Sequence, residues 1–198
     1  HRVPEWISRP QKGRSLPKTL THREIERLKE AASTSENPFA NVVITLFLDT
    51  GVRVSELCAL DRSSVDFEDL SATIREGKGN KDRLVLFTEE TVAAIEAYAQ
   101  IREVIVSRHV PSDEHRDALI LNRRGRRLTP RAVQKLMDTL ADAADIPRSK
   151  LSPHTLRHNF ATGLLERGMD LVSIQRLLGH ANISTTRVYL EISDQSLR

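Results

Sequence analysis

The spacing of apolar side chains divides most of this chain into helices. Thr21-His22-Arg23-Glu24 is a capping box, with Glu24 three residues after Thr21. Ile25, Leu28, Ala31 and Ala32 follow at helical spacing, which predicts a helix running to about Ser33. Asn37-Pro38 opens the next one. Val42 to Leu48 is apolar nearly all round, the pattern of a helix buried on every side. Gly51 is placed to end it in a left-handed turn. A short helix from Ser55 to Leu60 follows at once, so Arg53 is pinned at a tight corner between two buried helices.

The period then changes. Val65 to Phe67, Ser71 to Arg75 and Arg83 to Phe87 read as short strands, and Glu76-Gly77-Lys78-Gly79-Asn80-Lys81-Asp82 between the last two reads as a hairpin connection. Three strands in this order predict a small antiparallel sheet. Thr88 caps a long helix carrying Val92, Ile95, Ala99, Ile101 and Ile105, in which Tyr98 serves packing or lies at the surface. Pro111 to Asp117 is expected as a charged loop. Ala118 to Leu121 and Arg127-Leu128 form either a second small hairpin or a turn. Thr129-Pro130 and Ser152-Pro153 are both N-caps followed by proline at the first helical position. Val133, Leu136, Met137, Leu140 and Ala144 give the first of these helices its buried stripe. Leu171 to Leu178 is a helix stopped by Gly179, and Ser184 caps a last one that includes Tyr189. The fold class is mainly α with one small antiparallel β-sheet. Residues 1–20 hold Pro4, Pro10, Pro17 and Gly13 and no apolar period. They are expected to be a basic linker or arm leading in from a preceding domain, with residues 21–198 as the folded domain.

Composition narrows the function only in part. Hydrophobic residues make up 39% and charged ones 29%, a soluble globular balance. No apolar run approaches the roughly 20 residues that span a bilayer. The single Cys58 excludes an intramolecular disulfide and a cysteine-based zinc site. Net charge is +3, but unevenly spread. Residues 1–121 carry 17 basic and 20 acidic residues (17 − 20 = −3), and residues 122–198 carry 13 and 7 (13 − 7 = +6). The excess includes Asn122-Arg123-Arg124-Gly125-Arg126-Arg127, which is either an electrostatic footprint for a polyanion or a solvated basic face.

Candidate chemistry gathers late in the chain. His154 and Arg157 are three apart (157 − 154 = 3), so both project from one helix face, with Leu156, Phe160 and Leu164 opposite. A guanidinium fork beside an imidazole suits two oxygens of one phosphate. The plainer alternative is a surface arginine and a capping histidine. His154 and His158 have a metal-like spacing, but Thr155 stands where a zincin motif needs glutamate. No cysteine or carboxylate cluster completes a shell, so no metal is expected, and His158 is assigned to packing or to a supporting hydrogen bond. Tyr189 is one of two tyrosines. A phenol of pKa about 10 is a poor nucleophile unless guanidiniums favour its anion. Lys78 is either an ordinary turn lysine or a proton donor to a leaving oxygen. The full phosphate-loop pattern is absent, which argues against a nucleotide-triphosphate site.

Five motifs in order resemble the catalytic domain of the tyrosine recombinases, the phage-integrase family, and its Xer-like and transposon-type integrases in particular. They are Asp49-Thr50-Gly51-Val52-Arg53-Val54-Ser55-Glu56-Leu57; the Lys78 hairpin through Arg83; His154-Thr155-Leu156-Arg157-His158; Leu177-Leu178-Gly179-His180; and Ser184-Thr185-Thr186-Arg187-Val188-Tyr189. Tyr189 lies nine beyond His180 (189 − 180 = 9), the family's spacing. The resemblance spans about Thr21 to Ile192 and implies the tyrosine-recombinase catalytic-domain fold.

The resemblance also implies roles. Tyr189 attacks a scissile phosphate, forming a 3′-phosphotyrosine and freeing a 5′-hydroxyl. Arg53 and Arg157 clamp the non-bridging oxygens, and Lys78 protonates the leaving 5′ oxygen, with Lys81 as its competitor. His154 assists proton transfer with Tyr189, His180 hydrogen-bonds the phosphate, and Glu56 braces the arginine corner. Lys81, Arg83, Arg123 and Arg124 are expected as further DNA contacts. No cofactor, ATP or metal is implied. The partners implied are double-stranded recombination sites, further copies of the chain in a tetramer, and an accessory or partner recombinase, in the cytoplasm with the nucleoid. Relatives add an N-terminal core-binding domain and often a C-terminal docking segment, so these 198 residues alone are expected to bind DNA weakly. The competing readings are a type IB topoisomerase or telomere resolvase, and a non-catalytic DNA-binding module of the same fold.

Overall fold

The computed structural model of the chain describes residues 19–75 and 82–179. The described residues form α1 (His22–Thr34), α2 (Ala40–Thr50), α3 (Val54–Ala59), β1 (Val65–Asp66), β2 (Ser71–Ile74), β3 (Arg83–Leu86), α4 (Glu89–Arg108), α5 (Asp113–Arg116), α6 (Pro130–Ala143), α7 (Pro153–Glu166) and α8 (Leu171–Leu178). The α+β class expected from the pattern is the one observed. No described helix is long and apolar enough to cross a membrane.

α2 is the axis of the body. Val42, Val43, Ile44, Leu46 and Phe47 are all buried, and α1, α4 and α7 pack around it. Burial of each such side chain contributes about 1.5–3 kcal/mol. Gly51 ends α2 at φ +64°, its N–H donating to Phe47 O. A Cβ at Gly51 would stand 2.2 Å from the ring of Phe160 on α7. Glycine is therefore required twice here, for handedness and for the close approach of α7.

The capping box of α1 forms as expected, with Thr21 Oγ1 accepting from Glu24 N at 3.2 Å and Glu24 Oε1 from Thr21 N at 3.0 Å. Leu20, assigned to the arm, is buried, and its N–H and C=O both bond the side-chain amide of Asn159 on α7. An apolar residue just before an N-cap folds back as a staple, which a search for helical period does not register.

The sheet is antiparallel in the order β1-β2-β3, with Val65 opposite Ala72 and Ile74 opposite Arg83. Ala72, Ile74 and Val85 face the core, while Leu84 and Leu86 face outward.

Two expectations change in the middle of the chain. The buried track of α4 is Thr91, Ala94, Ile95, Tyr98, Arg102 and Ile105, while Ala99 and Ile101 are exposed. Two large polar residues outcompete apolar ones for the inner face because each finds partners there. Tyr98 Oη donates to Leu121 O at 2.7 Å and accepts from Leu121 N at 2.8 Å. Arg102 donates to Ala118 O and Arg116 O. The expected loop from Pro111 contains the one-turn helix α5, started by Ser112 and two acidic residues. Between Ala118 and Arg127 there is a tight turn closed by a single bridge, Leu121 to Arg127, with Gly125 at φ +73°.

Candidate active site

The corner between α2 and α3 sets Arg53. Its backbone N–H donates to Glu56 Oε1 at 2.7 Å, which caps α3, and its side chain is 42% exposed. Glu56 is the hub of this region. Its carboxylate takes both terminal nitrogens of Arg83, Nη2 at 2.9 Å and Nη1 in a still closer contact. Arg53 Nη1 lies 3.9 Å from Oε2, and Arg157 Nη1 3.9 Å from Oε1. Burial pushes the Glu56 carboxyl upward, but the Arg83 hydrogen bonds, the Arg53 N–H and the surrounding positive charge outweigh it and hold it below the usual range.

Arg157 rises from α7 into the interior. Nη1 donates to Gly51 O at 2.6 Å and Nη2 to Leu178 O at 2.6 Å. One side chain thus ties the end of α2 to the end of α8. Arg83 adds a second tie, Nε to Leu177 O at 3.1 Å. Both guanidiniums sit on the last carbonyls of α8, where the helix dipole favours positive charge. Gly179, at φ +67°, carries the chain away from that point.

His154 lies in the first turn of α7, behind the Ser152 cap, and is exposed. Burial of part of its ring, and then the charge of Arg157, hold its pKa below the ordinary imidazole value. Its Nε2 is 2.7 Å from Nε2 of His158, with the rings edge to face and centroids 4.2 Å apart. His158 itself is buried.

The sequence-predicted residues therefore divide. Arg53 and Arg157, 104 residues apart (157 − 53 = 104), meet on one carboxylate, and His154 lies close enough to Arg157 to feel its charge. Lys78, Lys81, His180 and Tyr189 lie outside the described residues. Arg83, expected as a DNA contact, points inward instead, 9% exposed and committed to Glu56 and Leu177. Alternation with Val85 puts Arg83 on the core face of β3, but strand period does not say what waits there. Arg123 and Arg124 are exposed on the tight turn, Arg123 Nη2 reaching Glu36 O. Arg127 leaves the basic run to bond Cys58 O, Leu60 O and Asp61. Asp49 had no assigned role. Its carboxylate accepts from Thr88 N and Oγ1 and from Thr91 Oγ1, capping α4. No group of three or more histidine, cysteine or carboxylate side chains among the described residues could hold a metal ion. A groove of about 600 Å³, lined by Leu20, Ile25, Leu48, Phe160 and Thr162 among others, includes none of the candidate catalytic residues.

Two guanidiniums thus converge on one carboxylate, with His154 one helical turn before Arg157 on α7. The sequence model of the phage integrase family matches residues 18–196, and the chain belongs to that family. It is 41% identical over 196 residues to the tyrosine recombinase XerD of Caulobacter vibrioides, covering 96% of this chain and 63% of that protein. The crystal structure of a XerA recombinase superposes with a TM-score of 0.80 at 36% identity, covering all of this chain and 67% of that one. The XerH recombinase bound to its palindromic difH substrate, in a post-cleavage complex, gives a TM-score of 0.78 at 28% identity, over 96% of this chain and 54% of that one. The chain thus spans less than two thirds of the length of its curated relative XerD.

Proposed function

We propose that the chain is the catalytic part of a site-specific DNA recombinase that cuts and rejoins strands through a 3′-phosphotyrosine. The observation that carries this reading is the meeting of Arg53 and Arg157 on Glu56. Two guanidiniums fixed about one carboxylate are pre-organised, so little reorganisation is needed when charge builds on the phosphoryl oxygens.

In the reaction the Tyr189 oxygen attacks phosphorus as its proton passes to His154. Arg53 and Arg157 hold the two non-bridging oxygens, and His180 donates a hydrogen bond to the same group. The P–O bond to the 5′ oxygen breaks, and Lys78 protonates that oxygen as it leaves. The 5′-hydroxyl of a second strand then attacks the phosphotyrosine in the reverse sense. The ester bond is conserved throughout, so the cycle balances without an added energy source. Lys81 is the alternative acid, and the exposed Arg123 and Arg124 meet backbone phosphates outside the reacting site.

The substrate is double-stranded DNA carrying a recombination site. The XerH complex with difH DNA supports that class of substrate. Pairing of two sites calls for four copies of the chain, alone or with a partner recombinase, in the cytoplasm at the nucleoid. The residues before Leu20 serve as the arm from a core-binding domain, and those from Leu20 onward as the catalytic domain. The start of the family match at residue 18 supports a boundary there.

Incubation with a nicked suicide duplex tests the reading. The expected result is a covalent protein–DNA adduct on a denaturing gel that Tyr189→Phe abolishes. An adduct that survives Tyr189→Phe would overturn the assignment of the nucleophile. Absence of any adduct across candidate sites would leave a DNA-binding module.

A further inference from the structure

His158 is not among the residues assigned to the reaction, yet it is in direct contact with His154. The two stand four apart on α7, one exposed and one buried, with their Nε2 atoms 2.7 Å apart and their ring planes at 89°. Two imidazole nitrogens at that distance share a single proton. If both carried one, two donors would face each other, and if neither did, two lone pairs would. The contact therefore excludes a state in which both Nε2 atoms are protonated. It also engages Nε2 of the exposed His154, so that Nδ1 is the ring nitrogen left for a substrate.

We propose that His158 is a positioning residue that holds His154 as the Nε2–H tautomer, so that Nδ1 presents a lone pair to the tyrosine. This rests on the reading of His154 as the proton acceptor for Tyr189. A neutral imidazole carries one proton. A base at Nδ1 must carry that proton at Nε2, and Nε2 of His158 accepts it. When the phenol O–H bond breaks, its proton goes to His154 Nδ1 and its electron pair to the new P–O bond. The resulting imidazolium keeps its Nε2–H on His158, so the ring does not turn while charged. Without His158 an exposed ring in the first turn of a helix would sample other rotamers and both tautomers. The arrangement has the logic of a buried group that fixes the tautomer of a catalytic histidine, here supplied by a second imidazole one turn along the same helix.

The test uses the whole chain labelled with ¹⁵N-histidine. Long-range ¹H–¹⁵N spectra of the free protein are expected to show His154 as the Nε2–H tautomer. His158→Phe should convert it to a mixture and slow adduct formation on the suicide duplex by about tenfold or more, below the full contribution of roughly 10²–10⁴ of a general base. His158→Gln, whose amide oxygen can accept from Nε2–H, should restore most of the tautomer ratio and of the rate. His158→Asn, one carbon shorter, should not. A thermal melt of each variant keeps folding separate, and the Gln–Asn pair decides the matter if the Phe variant unfolds. An Nδ1–H tautomer at His154 in the unaltered protein would overturn the inference. So would a tautomer and rate indifferent to His158→Phe, or equal behaviour of Gln and Asn. Should no DNA form an adduct even with the unaltered chain, the recombinase reading fails, while the tautomer spectra still decide the role of His158.

Discussion

Among the described residues, two regions that bury an arginine against backbone carbonyls differ in what else they hold. On α4, Arg102 spends its guanidinium on Ala118 O and Arg116 O, and Tyr98 spends its hydroxyl on both backbone groups of Leu121. Burial pushes the Tyr98 phenol up to about 12, against weaker lowering by its bond to Leu121 and by Arg102. That region is closed: donors and acceptors match, and a tyrosine beside an arginine is held neutral. At the α2–α3 corner Arg157 and Arg83 are buried in a similar way, but a carboxylate sits between them and Arg53 leans on it from the solvent side. What separates the two regions is the half-exposed third guanidinium, that of Arg53. A buried arginine or tyrosine by itself signals neither.

The comparison breaks most readily at Glu56. Glu56→Ala removes the carboxylate that pairs with buried Arg83 and should cost about 3–5 kcal/mol, read by urea denaturation, with adduct formation lost as well. Arg53→Gln should show the opposite pattern. Its stability should stay within about 0.5 kcal/mol, as for exposed positions, while the adduct rate falls on the order of 10²–10³, the usual loss for one oxyanion donor. Arg102→Met removes only the closed set and should cost about 2–3 kcal/mol, with the adduct rate of the folded protein unchanged. Tyr98→Phe should cost about 1–2 kcal/mol and likewise spare the reaction, in contrast to Tyr189→Phe. If Tyr98→Phe or Arg102→Met impaired the adduct as much as Arg53→Gln, the distinction between the two regions would be lost.

Acidity offers the mildest test. The folded-state pKa of Glu56 is depressed from 4.5. The stability it contributes is therefore present above about pH 4.5 and is lost as pH falls through the depressed value. Glu24, held by burial against hydrogen bonds from Lys150 and Thr21, is also depressed and adds to the same acid window. Denaturation of Glu56→Gln from pH 5 to pH 2 should give a shallower decline than the parent. At the other extreme Tyr98 loses its contribution as pH rises from about 10 toward 12, since its unfolded phenol ionises first.

Much of the architecture was legible because local rules suffice for it. The Thr21, Thr88, Thr129 and Ser152 caps, the left-handed Gly51 and Gly179, and the β2–β3 pairing all form as their residue types require. Where the reading slipped, a distant partner decided. Tyr98 and Arg102 displaced Ala99 and Ile101 from the buried face of α4 because the 116–121 segment offers backbone groups to bond. Leu20 left the arm for the core because Asn159 holds its backbone.

The motif at the end of the chain shows the same division. By itself the sequence determined the order of the motifs and, among the described residues, that His154 and Arg157 lie on one helix behind a Ser152 cap, since side-chain type, caps and period are local properties. It could not tell that Arg157 points inward to two carbonyls, that Arg83 is a tie and not a surface contact, or that His158 takes the Nε2 of His154. Those assignments depend on which groups arrive from other parts of the chain to desolvate and pair a charge. Only the packing of α2 and α8 against α7, and of β3 against α8, brings those groups together.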